Sequence, residues 1–269
     1  VAEDDSTRID VTRRVGKVAG LESELEHVDI PSTCGIGHTR WATHGRPSVA
    51  NAHPHVSCDG RIAVVHNGIV ENFQELREEL QGRGHTFASD TDTEVFAHLI
   101  EDAYADAHDL MAAVRSACSR VVGSYGLAVI CADEPGTGEL GAYVASDVIA
   151  LIGATRDVVM LEDGEYAKLT PAGISYTNEE GEPIEPDVTH IDWDVNMAEK
   201  GGYPDFMLKE IHEQPRVVRD TLVGRLSPSG ELDIDELGLS LEELNDVDRV
   251  YVIACGTSYH AGLDAQNLI

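Results

Sequence analysis

Two apolar runs, RIAVVH at 61–66 and SYGLAVICAD at 124–133, enclose a block whose apolar residues recur at helical spacing. That bracket narrows the fold more than any other feature. The runs read as buried strands, and the helices between them need a sheet to cover. Within the block, ENFQELREELQGRG places Phe73, Leu76 and Leu80 on one face, and Gly84 stands where a C-terminal cap belongs. SDTDTEVFAHLIEDAYA starts a second helix, with Thr91 or Asp92 as N-cap and Val95, Phe96, Leu99 and Ile100 as its stripe. A third covers roughly 109–120. The expectation is an α+β fold of sheets covered by helices.

Beyond the block, DVVMLEDGEYAKLT predicts a hairpin of two strands turning at Asp163-Gly164. NEEGEPIEPDVTHIDWD, acidic and without period, suits a surface connection. FMLKEIHEQPRVVRDTL reads as a helix interrupted near Pro215. RVYVIACGTSYHAG predicts an apolar strand entering a Gly-Thr-Ser turn, after which YHAGLDAQNLI begins a helix and leaves an unfinished domain.

Composition excludes some partners. The chain has 49 acidic and 19 basic residues, net charge −30, and its only lysines are Lys17, Lys168, Lys200 and Lys209. Phosphate backbones need clustered cations, so nucleic acid is not an expected partner. No apolar run is long enough to span a bilayer and the N-terminus is unlike a signal peptide, so a cytoplasmic protein without membrane contact is expected. The acidity suits a well-solvated surface or a salt-loving source, where screening relieves self-repulsion. The five cysteines (Cys34, Cys58, Cys118, Cys131, Cys255) are odd in number and lack a C-x-x-C, which argues against a disulfide framework or zinc ribbon.

The candidate chemistry starts at HTRWATHG, residues 38–45, a stretch with neither helix nor strand period that concentrates hydrogen-bonding groups around a tryptophan. Read by themselves, Asn67-Gly68 form a common turn dipeptide and Asp92 could be only an N-cap. His53-Pro54-His55 with His38, His44 and His66 invite a metal, but no spacing guarantees converging ligands, so no metal or organic cofactor is expected. Cys255, ahead of Gly-Thr-Ser, suits either a thiol activated by a helix start or a turn whose N–H groups and Thr257 and Ser258 hydroxyls cradle a phosphate.

HTRWATHG, NAHPHVS (51–57), VVHNGIVEN (64–72) and SDTDTEV (89–95), in this order, resemble the glutaminase domain of the glutamine–fructose-6-phosphate aminotransferase family. KEIHEQP (209–215) and ACGTSYHAG (254–262) resemble its linker helix and the opening of its sugar-isomerase half. The resemblance implies an N-terminal-nucleophile-type αββα sandwich over 1–192, a linker over 193–246, and the start of an α/β sugar-isomerase domain over 247–269. It implies L-glutamine and fructose 6-phosphate as substrates, glucosamine 6-phosphate as product, and a full-length homodimer. Arg40, Trp41, Thr43, His44 and Asp92 are then the glutamine pocket, with Trp41 at the gate between the glutaminase and synthase sites. Asn67 and Gly68 are the oxyanion donors, and Thr257 and Ser258 the sugar-phosphate contacts. Physically, Arg40 offers a fork for the α-carboxylate and Asp92 an anion for the ammonium.

The sequence departs from the family in two places. The family begins with a cysteine whose thiol attacks the amide while its own α-amino group serves as base, whereas this chain begins Val1-Ala2-Glu3. Cys34 and Cys58 are internal and poor substitutes. Near Pro135-Gly136-Thr137-Gly138 a strand segment usual before GAYVASDVIAL is missing. The reading is of a fragment, inactive by itself, rather than a decayed gene. A non-catalytic glutamine-binding module is the alternative from another class.

Overall fold

A computed structural model of the 269-residue chain describes residues 9–28, 32, 34–42, 44–134, 141–192, 200–223, 246–254 and 256–266, without the side chain of residue 257. Thr43, the segment at Pro135–Gly138 and Cys255 therefore lie outside the described residues. The chain divides into two compact units, residues 1–193 and 194–269.

The first unit is α+β. Its centre is an antiparallel sheet of β1 (His55–Val56), β2 (Ile62–Val70) and β3 (Gly123–Cys131), with β2 in the middle. Ile62, Val64 and Val70 of β2 face one way, into a cluster with Leu76, Leu80, Val95, Phe96, Leu99 and Ile100. Ala63 faces the other way and meets Ile9, Ile130 and Ala132. Burial on both faces explains why the start of this strand reads as an unbroken apolar run rather than an alternation. The first cluster is closed by α2 (Phe73–Gly82), α3 (Glu94–Ala107) and α4 (Leu110–Cys118). An exposed helix α1 (Val18–Leu25), with no buried residue, escaped the pattern reading.

Helix ends follow local chemistry. The α2 terminus is a Schellman motif: His85 N–H donates to the Leu80 carbonyl, Gly84 N–H to that of Gln81, and Gly84 takes φ +103°. Asp109 caps α4 by accepting from Ala112 N–H at 3.0 Å. The start of α3 corrects the sequence reading. Thr93 precedes the helix, whereas Asp92 Oδ2 instead accepts the Val70 N–H at 2.9 Å, tying the end of β2 to the helix entry.

A second correction concerns Asn67-Gly68, which continue β2 instead of ending it. Asn67 pairs with Gly126 and Gly68 with Tyr125. Gly68 has φ +130°, and a Cβ there would lie 2.3 Å from the Ser124 carbonyl oxygen. Only glycine lets the strands approach this closely.

The hairpin at Asp163-Gly164 is not formed either. β4 (Asp157–Val159) pairs with β7 (Val188–His190), inside the segment read as a surface connection, while β5 (Tyr166–Thr170) pairs with β6 (Gly173–Thr177). Asp163-Gly164 remain a turn, with Gly164 at φ +80°, but the strands it joins choose other partners. Local turn chemistry sets a bend, whereas pairing is set by which edges tertiary packing brings together. Ile152, Val158 and Ile191 form the small core beneath β4 and β7.

In the second unit, α5 (Phe206–Leu222) runs through Pro215 without a break, capped by Asp205, which accepts from Leu208 N–H at 2.8 Å. The helix gives up one backbone bond there and is otherwise continuous. Residues 249–254, expected as a strand, have no strand partner among the described residues, and Ile253 is 97% exposed. α6 (Gly256–Gln266) follows, with Ser258 exposed in its first turn. No helix among the described residues is long and apolar enough to cross a membrane.

Candidate functional site

Three stretches meet at one cleft of about 250 Å³ in the first unit: the loop 38–41, residues 66–69 of β2, and Asp92-Thr93 at the entry to α3. The loop has no regular structure, so side chains hold it. Arg40 Nη2 donates to the carbonyls of His44 and Gly45, the latter at 3.0 Å. Asn51, buried, donates from Nδ2 to the Arg46 carbonyl at 2.9 Å and accepts from Asp90 N–H at 2.9 Å. That amide staples the loop to the residues just before Asp92. Nε and Nη1 of Arg40 have no hydrogen-bond partner among the described residues, so single N–H donors of its guanidinium remain for an anion.

Asn67 is exposed and its Oδ1 lies 2.7 Å from His38 Nε2. Oδ1 can only accept, so His38 is in the Nε2–H form, and the Asn67 NH₂ is left to donate elsewhere. Arg40, Trp41, Asn67, Gly68 and Asp92, all singled out in the sequence, line the cleft. Trp41 is 91% exposed, an open position rather than a closed gate. His44 does not line the cleft but stands behind it, its Nδ1 3.9 Å from Asp92 Oδ2 and its ring 5.1 Å from that of Phe73.

The floor was not assigned from sequence. The Thr93 hydroxyl bridges His66 Nδ1 at 2.9 Å and His53 Nε2 at 3.1 Å. The hydroxyl can accept from one imidazole while it donates to the other. His38 stacks near His53 with ring centroids 4.2 Å apart. Burial, aided by His55, His38, His66 and Arg40, pushes His53 down to about 2. Burial likewise lowers His55, against the pull of Glu94, and His66, against that of Asp92. The floor is therefore a neutral imidazole cluster. The density of histidines at 38, 53, 55 and 66 was the available signal, and its value lay in hydrogen bonding to Thr91 and Thr93.

A cationic guanidinium with N–H donors to spare, a buried carboxylate and a side-chain amide beside a close-approach glycine are what an amino acid carrying a terminal amide would need. Residues 14–114 match the glutamine amidotransferase domain family, and the cleft lies within that matched region. Across nearly its whole length the chain is homologous to the glutamine–fructose-6-phosphate aminotransferases (isomerizing). It is 49% identical to that of Symbiobacterium thermophilum over 96% of this chain and 45% of the relative. It is 46% identical to that of Clostridium perfringens, over 98% of this chain and 45% of the relative. The Streptomyces coelicolor protein is 47% identical over 96% of this chain and 44% of its own. The chain thus spans about half the length of the curated relatives it matches. Among solved structures, the glutamine phosphoribosylpyrophosphate amidotransferase of B. subtilis aligns over 58% of this chain and 34% of its own. Its 22% identity and TM-score of 0.37 are too loose a likeness to build on.

Proposed function

We propose that the cleft binds L-glutamine and that the chain is the glutaminase part of an enzyme forming glucosamine 6-phosphate from fructose 6-phosphate. The observation that carries this reading is the convergence of Arg40, Asn67-Gly68 and Asp92 on one cleft from three separate stretches. Arg40 takes the α-carboxylate and Asp92 the ammonium. The Asn67 NH₂, freed by His38, and the Gly68 backbone N–H receive the oxyanion of the tetrahedral intermediate, where a single donor can contribute about 3 kcal/mol. In this reading Thr43 completes the pocket, His44 supports it from behind Asp92, and Trp41 closes over it. No thiol lines the cleft among the described residues, so the attacking cysteine is proposed to come from outside them.

In the same reading, residues 1–192 form the αββα glutaminase domain, 193–246 a linker and 247–269 the opening of a sugar-isomerase domain. There Thr257 and Ser258 would contact the sugar phosphate. The full enzyme is a cytoplasmic homodimer. That similar proteins carry an enzyme's name weighs against a purely regulatory glutamine sensor.

Calorimetric titration of the 269-residue chain with L-glutamine tests the pocket. Saturable binding is expected without glutamate release. Arg40→Lys and Asp92→Asn should each weaken it roughly 10- to 100-fold, the value of a charge-assisted contact of about 1.5–3 kcal/mol. Asparagine keeps an oxygen for the Val70 N–H, so Asp92→Asn separates ligand binding from folding. Absence of binding, or variants that bind as well as the parent, would overturn the assignment. An encoded Met-Cys-Gly start in the gene supports the catalytic half of the proposal; its absence would leave a binding module.

A further inference from the structure

Outside the cleft, four side chains with metal-ligating atoms converge on one point. Cys58 lies in the β1–β2 turn, His85 directly after the cap of α2, and His98 and Glu101 one turn apart on α3. Their ligand atoms all lie within 4.8 Å of one another. Cys58 Sγ is 3.6 Å from His85 Nδ1 and 3.6 Å from His98 Nδ1. Glu101 Oε2 is 3.2 Å from His85 Nδ1 and 3.3 Å from His98 Nδ1. A tetrahedral zinc with bonds of about 2.0–2.3 Å holds its ligands roughly 3.3–3.7 Å apart. Three of the four separations fall in that range, and the His85–Glu101 separation lies just below it.

The surroundings are those of a metal site as well. His85 Nε2 is 2.9 Å from Asp102 Oδ1, so a proton on Nε2 is held there and the Nδ1 lone pair faces inward. Asp102 is itself held by Arg83 Nη2 at 2.9 Å. Thr86 N–H points at Cys58 Sγ at 3.5 Å, and Cys58 and Asp59 N–H each donate to Glu101 at 3.0 Å. A lone pair of His85, a carboxylate and a sulfur thus share one small volume, an arrangement that repels unless a cation or extra protons occupy it. A neighbouring cleft of about 280 Å³, lined by Ser57, Cys58, Thr86 and His98, gives an ion access.

We propose that Cys58, His85, His98 and Glu101 form a structural zinc site that clamps the β1–β2 turn and the α2–α3 connection onto α3. A soft thiolate with two imidazoles selects zinc over magnesium or calcium, and four protein ligands close the coordination sphere. β1 carries His55, the segment before it carries His53, and the connection before α3 carries Thr91 and Asp92. The clamp thus braces the segments that carry the glutamine-cleft floor. Of the four, only His98 and Glu101 are close in sequence, and Cys58 and His85 arrive from distant turns, so periodicity gives no sign of the cluster.

The test uses the 269-residue chain, stripped of metal, loaded with Zn²⁺ and dialysed against buffer containing a weak chelator. About one zinc per chain should be retained, with a higher melting temperature than the stripped protein. Co²⁺ loaded in place of zinc should give a thiolate-to-cobalt charge-transfer band and intense tetrahedral visible bands. Cys58→Ser, at an exposed position, should abolish that charge-transfer band and the zinc-dependent rise in melting temperature. His85→Asn should do the same, with far-UV circular dichroism unchanged in both. The thiolate band, lost in Cys58→Ser, separates this site from adventitious binding at the cleft histidines. Retention well below one zinc, a melting temperature indifferent to zinc, or a cobalt spectrum unchanged by Cys58→Ser would overturn the proposal. The cluster would then be a proton-held ion-pair network.

Discussion

Replacing Gly68 by alanine should prise β2 from β3 at the edge of the cleft. The new Cβ would sit 2.3 Å from the Ser124 carbonyl oxygen and 2.8 Å from Tyr125 Cα, both backbone atoms of the neighbouring strand that cannot swing aside. Gly68 also holds φ +130°, where a side chain is strained by about 1–3 kcal/mol even with room to spare. Relieving the clash requires the strands to part and lose roughly one or two ladder hydrogen bonds, at about 1 kcal/mol each. The sum is about 2–5 kcal/mol, a large part of the roughly 5–15 kcal/mol that holds a typical protein folded. In urea, with a slope of about 2 kcal/mol/M, the midpoint should fall by roughly 1–2.5 M. Gly126→Ala is the control: Gly126 lies opposite Asn67 in the same ladder, yet a Cβ there meets nothing within 4 Å. It should change stability by less than about 1 kcal/mol. If Gly68→Ala also stays within 1 kcal/mol of the parent, the argument from close approach fails.

The neutral histidine floor makes stability depend on pH. The folded values of His53, His55 and His66 lie below the ordinary 6.5, so their contribution is present above 6.5 and is lost as pH falls, because only the unfolded chain takes up the protons. His53 and His55, lowered to about 2 and about 4, each contribute up to about 1.4 kcal/mol per pH unit between roughly pH 6.5 and 4.5, and His66 acts in the same direction; urea unfolding across that window should show the slope, reduced in His53→Gln. Asp109→Ala removes the α4 cap and should cost about 1 kcal/mol in the same assay, whereas Asp109→Asn should cost less. With net charge −30, the melting temperature should rise from 0.1 to 1 M NaCl as the screening length falls from about 10 to 3 Å. No rise would remove the case for a salt-adapted surface.

How far the sequence could be read follows from the range of the forces involved. Burial pattern and capping are local, so the run at 61–66, the stripes of α2 and α3, the Gly84 cap and the α4 helix were all visible in it. Arg40, Asn67, Gly68 and Asp92 were visible as a motif set, and their roles came from resemblance. Tertiary structure decided the rest, because it depends on which distant edges meet. Tertiary packing turned Asn67-Gly68 from a turn into paired strand, and gave β4 to β7 instead of β5. Asp92 became the anchor of Val70 rather than a helix cap. It also brought Cys58, His85, His98 and Glu101 to one point. Periodicity records which face of an element is buried. It carries no record of the partner across the gap, and both the ladder register and the side-chain clusters are properties of that partner.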